Sequence, residues 1–233
     1  MKRILFLCSP GLGSIDNWAP ILAELKKKNK IDFFTPKIDI LSDDISFKQP
    51  FFYKILKTYF SNIFCLSKKK DEILRIKNLD FKRKNLIQEF ANISNKILLK
   101  TFKKEFNFFN YFENKIYSKK IDNVDYSNFL NRYSYILCDA IEFTKPYLKN
   151  FSKYSKNITK VSMPHGSDFP FTKKFKGSKK NYLGYNFKII LFSKTKGEKD
   201  YYQTILKLKN NNYLRSGNPK HDKRWINFIQ KKK

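Results

Sequence analysis

Glycine is confined to the two ends of this chain, and that distribution constrains the fold more than any other feature. Gly11 and Gly13 stand near the start, no glycine lies between Gly13 and Gly166, and Gly166, Gly177, Gly184, Gly197 and Gly217 complete the set. Residues 51–145 also lack proline. A stretch without either breaker, rich in Lys, Leu, Ile, Phe and Asn, reads as mainly helical. Within it Leu86, Phe90, Ile93 and Ile97 step by helical spacings, and Leu98, Phe102, Phe106 and Phe109 continue the stripe. That pattern predicts an amphipathic helix burying one face.

The first 35 residues follow a different grammar. Arg3 to Cys8 is a short apolar run, Ser9 to Ser14 is a glycine-containing turn, and Ile15 to Lys28 has a helical pattern. Ser14 is placed to cap that helix, and Pro20 is read as near enough to its start to be tolerated. Ile31 to Phe34 is a second apolar run. Strand, turn, helix and strand in that order predict a βαβ unit with a parallel pair.

Strands of the same kind recur. Tyr135 to Cys138 precedes a helix-like Thr144 to Tyr154, and Ile158 to Met163 runs into Pro164-His165-Gly166. Lys188 to Phe192 leads into Ser193, with a helix from about Glu198 to Lys209. Asn212 to Arg215 then leads into Ser216-Gly217-Asn218-Pro219 and a last helix. The predicted class is α/β: a Rossmann-like parallel-sheet domain over 1–171 carrying a helical insertion at about 50–120. The lysine-rich Thr172 to Leu183 reads as a boundary, and residues 185–233 as the start of a second α/β domain with its own sheet.

Several classes are excluded. The opening apolar stretch is too short for a secretory signal, and no run approaches the roughly 18 residues of a membrane span. Three widely spaced cysteines and two histidines, His165 and His221, make neither a disulfide framework nor a zinc finger. No metal is expected, and the three thiols read as core residues of a cytoplasmic protein.

The formal net charge is +29, from 49 Lys and Arg against 20 Asp and Glu. Arginine is scarce, at Arg3, Arg75, Arg83, Arg132, Arg215 and Arg224. Readers of phosphates and bases usually lean on the planar guanidinium, so this lysine excess looks compositional in large part. Most of it falls in residues 146–233. A field of that sign attracts phosphorylated donors, anionic lipid surfaces and nucleic acid alike.

Three loops carry chemistry. The first, Ser9 to Ser14, joins a strand to a helix, where glycines let backbone N–H groups approach an anion and the helix start adds positive potential. Gly11, Gly13 and Ser14 are therefore substrate-contact candidates, although the loop has neither the third glycine of a dinucleotide fingerprint nor the lysine of a P-loop. The second is Pro164-His165-Gly166-Ser167-Asp168. A histidine at a strand end suits proton abstraction from a hydroxyl or stabilisation of a phosphate, with Gly166, Ser167 and Asp168 as substrate contacts and Asp168 placed to orient the imidazole. In the third loop, Gly217 to Asp222, the turn residues open a helix, and Asn218 and Lys220 suit a phosphate or a ribose.

Taken together, the strand-turn-helix start, the strand ending in His165-Gly166, the strand ending at Ser193 and the G-x-P-x-x-D pattern of Gly217, Pro219, Lys220 and Asp222 resemble bacterial GT-B-fold transferases. The nearest likeness is to the CDP-glycerol glycerophosphotransferase and surface-polysaccharide glycosyltransferase group. The resemblance implies a GT-B-like architecture, with the acceptor mainly on the first domain and a nucleotide-activated donor mainly on the second. It implies His165 as the catalytic residue and Ser193, Gly217, Asn218, Pro219, Lys220 and Asp222 at the donor. The donor is a substrate, and no further cofactor is implied. His165-Gly166 continues as Ser167-Asp168, where the glycerophosphotransferases usually have Thr-Pro. The residues after Asp222 are fewer than a full donor domain needs, so a truncated domain or a completing second chain is expected.

The function expected is transfer of a glycosyl or glycerol-phosphate group to a cell-surface saccharide or lipid-linked acceptor, in the cytoplasm or at the inner face of the plasma membrane. The alternatives are a basic module that binds nucleic acid or an anionic membrane, and an inactive transferase fragment.

Overall fold

The computed structural model describes residues 1–8, 13–36, 50–66, 72–77, 124–139, 149–163, 187–191, 199–200, 203, 213–217, 219–223 and 226–227. Strand β1 (Arg3–Leu7), helix α1 (Gly13–Leu25) and β2 (Lys30–Thr35) come first, followed by α2 (Pro50–Tyr59), β3 (Asn62–Leu66) and β4 (Ile73–Ile76). The short α3 (Ser127–Leu130) leads into β5 (Tyr135–Asp139), then α4 (Lys149–Tyr154) and β6 (Thr159–Met163). Strands β7 (Phe187–Leu191) and β8 (Tyr213–Arg215) precede a 3₁₀ turn at Pro219–His221.

These strands make one sheet in the order β4-β3-β2-β1-β5-β6-β7-β8. Every pairing is parallel except β3 with β4. The chain builds outward from β1 in one direction through β2 and β3, then returns to the other side of β1 with β5 and builds away again. That reversal is the mark of a doubly wound α/β sheet.

The strands are short apolar runs because both sheet faces are covered, as parallel sheets require. On one face Phe6, Phe33, Ile63 and Leu137 meet Ile15, Trp18 and Leu22 of α1 and Ile55 and Leu56 of α2. Their rings interlock: Phe6 lies 6.0 Å edge-on from Trp18, and Phe33 lies 5.2 Å from Phe60. On the other face Leu5, Phe34, Phe64 and Ile136 meet Phe129 and Leu130 of α3 and Phe151 of α4. Phe34 stacks on Phe151 at 5.9 Å and tilts against Phe129 at 5.3 Å. Each such side chain, fully buried, contributes about 1.5–3 kcal/mol.

α1 buries Ile15, Trp18, Ala19 and Leu22, spaced for one face. It ends at Leu25, whose carbonyl accepts from Asn29 Nδ2 at 2.9 Å. Because the helix begins at Gly13, Ser14 lies in its first turn rather than before it, and Pro20 lies mid-helix. Both positions correct the sequence reading, which started the helix at Ile15. Among the described residues no helix is long and apolar enough to cross a membrane.

Two larger corrections concern the sheet. β3 and β4 are strands inside the stretch read as mainly helical, where the described helices are α2 and the four-residue α3. A five-residue apolar run is too short for its period to tell strand from helix. β7 and β8 open no second sheet, since Lys160 pairs with Phe187 and Ile189 with Tyr213, extending the first. The lysine-rich segment before β7 reads equally as a linker or as part of a crossover, which needs a dozen or more residues in any parallel pairing. The stripe from Leu86 to Phe109 lies outside the described residues.

The amino-terminal edge is fastened by one buried carboxylate. Asp32 accepts from Arg3 Nε at 3.0 Å, Asn62 Nδ2 at 2.7 Å and Tyr133 Oη at 2.9 Å. It thereby joins β1, β2, β3 and the turn into β5. Burial, with the Asp32 charge beside it, holds the Tyr133 phenol well above its usual range.

Candidate functional site at the carboxyl edge

In an open α/β sheet, ligands bind outside the carboxyl ends of the strands, at the point where the winding reverses. Here that point lies between β1 and β5, where Leu7 pairs with Cys138. The chain leaves β1 through Cys8, whose N–H donates to the Phe34 carbonyl at 2.9 Å, and α1 begins at Gly13. Gly13 and Ser14 thus form the start of the helix that follows the central strand.

The second element of the site comes from the far end of the chain. Ser216 N–H donates to the Leu191 carbonyl at 3.2 Å, holding the exit of β8 against the end of β7. Gly217 then takes φ of +76°, with open space where a Cβ would stand. That left-handed turn redirects the backbone into Pro219–His221, and Asp222 N–H donates back to the Pro219 carbonyl at 3.1 Å. The 3₁₀ turn packs against α1. Pro219 and Lys220 are therefore carried to the helix that begins with Gly13 and Ser14, although β8 is the outermost strand on that side.

The 3₁₀ turn of the third loop thus packs against the helix into which the first loop leads. Gly11, Asn218, Ser193 and the whole of His165-Gly166-Ser167-Asp168 lie outside the described residues. In sequence, His165 follows Met163, the last residue of β6, by two positions.

The sequence reading left three polar groups unassigned. His221 is exposed in the 3₁₀ turn. Its position next to Lys220 within the Gly217 to Asp222 motif was the available signal. Ser162 and Cys138 lie side by side, buried, near the carboxyl ends of β6 and β5. The Ser162 hydroxyl donates to the Cys138 carbonyl at 3.2 Å, and its oxygen lies 3.3 Å from the thiol sulfur. They form a closed polar link beneath the edge.

The third is Lys160, buried in β6, whose ammonium donates to the Ser155 carbonyl at 2.7 Å and the Ile158 carbonyl at 3.4 Å. These carbonyls lie just past the end of α4, where a cation offsets the negative end of a helix. Burial lowers the Lys160 pKa to about 8. It lies near the amino end of β6, away from the carboxyl edge, so it serves the fold. Nothing in a strand of the form Thr-Lys-Val-Ser-Met tells which face its lysine occupies until the register is known.

Among the described residues no three His, Cys, Asp or Glu side chains gather as a metal site would require. Compared with protein-family models and with curated proteins, the chain matches none.

Proposed function

We propose that the chain is a group-transfer enzyme of GT-B type that uses a nucleotide-activated donor. The observation that supports this reading is the packing of Pro219–His221 against α1 at the carboxyl edge of a doubly wound sheet. Counting the parallel strands alone, the order is that of dinucleotide-binding sheets with one further strand, β8, added at the edge.

In this reading the donor's phosphates lie by Gly217 to Lys220. The open space at Gly217 admits close approach of the backbone, and the Lys220 ammonium offsets charge on the leaving group. Ser193, Asn218 and Asp222 complete the donor contacts. Gly11, Gly13, Ser14, Gly166, Ser167 and Asp168 contact the acceptor, a saccharide or lipid-linked hydroxyl. His165 takes the proton of that hydroxyl as its oxygen bonds to the transferred carbon or phosphorus. The bond to the nucleoside phosphate breaks, and the electron pair leaves with the phosphate oxygen.

A thermal-shift titration at two salt concentrations tests the reading, with CDP, UDP, GDP, CDP-glycerol, UDP-sugars and a short oligonucleotide as ligands. One nucleotide stabilises the protein at raised salt, by about 2.7 kcal/mol at a hundredfold excess over Kd. With the donor so identified, His165→Ala abolishes transfer and leaves nucleotide binding intact. Equal shifts from every polyanion, erased by salt, would overturn the donor site.

A further inference from the structure

Parallel topology sends every helix-to-strand turn to the same edge of the sheet, opposite the candidate site, and three of the four described turns of this kind carry exposed cations. The α1–β2 turn presents Lys27, Lys28 and Lys30, all exposed. Lys2 stands exposed at the start of β1, Arg132 before β5 and Lys156 before β6. Between α2, the start of β3 and the end of β4 lies a cleft of about 410 Å³, to which Lys57, Arg75 and Lys77 contribute with no carboxylate in its lining.

Among the described residues the carboxylates near this edge are few and each has a partner. Asp32 is buried among Arg3, Asn62 and Tyr133, and Glu24 pairs with Lys27 at 2.8 Å. Asp125 sits at the opposite end of α3 from Arg132, where it accepts from the Ser127 N–H.

We propose that this amino-terminal edge is a docking face for an anionic lipid bilayer, with a headgroup phosphate taken into the cleft between α2 and β4. The proposal goes beyond the transferase reading and stands whether or not that reading holds. The cations extend from β4 to β6, six strands and so roughly 24 Å, which is a breadth suited to a plane of charge. Most are lysines, point charges that serve a diffuse field of headgroups.

A nucleic acid is the less suited partner. The Arg132 guanidinium keeps its charge at the surface but is held over the rings of Phe64, Phe129 and Tyr133, and Arg3 is bound to Asp32, so neither presents an open fork for bidentate contact with a base. Among the described aromatic residues of these turns Phe60 and Tyr133 are buried, and the exposed Tyr154 is covered on one side by the Lys153 ammonium at 5.6 Å, a poor platform for successive bases.

Co-sedimentation with phosphatidylcholine vesicles, with and without an equal admixture of phosphatidylglycerol, tests the face. Binding requires phosphatidylglycerol. Lys28→Glu with Lys30→Glu weakens it by more than about 30-fold, since the loss of each lysine is worth about fivefold and the new carboxylates add repulsion. Lys57→Gln with Lys77→Gln, which only removes charge, weakens it by about 30-fold. Lys54→Glu with Lys223→Glu, the same change in net charge at lysines outside the cleft and the basic turns, weakens binding less than about threefold. Circular dichroism confirms that each pair of substitutions leaves the fold intact. Equal losses from the two charge-reversed pairs would assign binding to net charge and overturn the proposal. So would indifference to phosphatidylglycerol, or a single-stranded oligonucleotide that binds the same lysines more tightly than vesicles do.

Discussion

Tyr133 Oη donates to Asp32 Oδ2 at 2.9 Å across a separation of 101 residues, and both side chains are shut away from solvent. This bond ties the two wings of the sheet together, because Asp32 belongs to β2 and Tyr133 leads into β5. Three donors converge on the one carboxylate, so its removal leaves a buried phenol and a guanidinium without their acceptor. Asp32→Ala therefore costs about 3 kcal/mol in urea denaturation. Tyr133→Phe costs about 1 kcal/mol, since Arg3 and Asn62 still satisfy the carboxylate.

Lys160 gives the stability a distinctive pH dependence. Its pKa is near 8 in the folded protein and near 10.5 when unfolded. Between those values the unfolded chain binds more protons, so stability rises with pH across that window. Relative to Lys160→Met, the parent protein gains on the order of 3 kcal/mol between pH 8 and pH 10.5. A difference curve that is flat or falls over that range would show that the ammonium is not desolvated.

The three thiols, Cys8, Cys65 and Cys138, form no disulfide and are fully buried. A thiol reagent such as Ellman's reagent reacts with none of them in the native protein at short times and with all three in denaturant. Fast reaction of one thiol in the native state would reveal local opening around it.

Much of this arrangement was legible in the residues. The βαβ start is readable because a glycine turn separates a run of apolar residues from a helical stripe, and β5 and β6 are readable as apolar runs. β3 and β4 were not, because Asn62–Leu66 and Ile73–Ile76 sit in a region whose lack of glycine and proline favours helix locally. Their strand state comes from tertiary pairing, Phe33 with Ile63 and Cys65 with Leu74, which overrides local propensity. The merging of β7 and β8 into the first sheet was hidden for a similar reason, since strand order is a long-range property. Of the candidate site, Gly217 was readable from its turn chemistry. The approach of Pro219 and Lys220 to α1 was not, because no local pattern records which helix a distant turn will meet.

Gly217 offers a test of the donor loop itself. Its φ of +76° is costly for any residue with a Cβ, while the open space around it rules out a clash. Gly217→Ala costs about 1 kcal/mol through backbone strain, and Gly217→Asn costs less because asparagine tolerates the left-handed region. Chemical denaturation of the two variants measures the difference. Equal stability would mean that the turn relaxes to another conformation.

The central place of β1 also orders events in time. Its pairing with β2 joins Ile4 to Ile31, whereas its pairing with β5 joins Ile4 to Tyr135. Chain closure over the longer span carries the larger entropic cost, so the wing of β1, β2, β3 and β4 condenses before the other. During synthesis that wing has emerged before Tyr133 is made. A nascent chain therefore holds Asp32 with Arg3 and Asn62 alone, and the newborn sheet presents one side of β1 as an open edge until β5 arrives to close it.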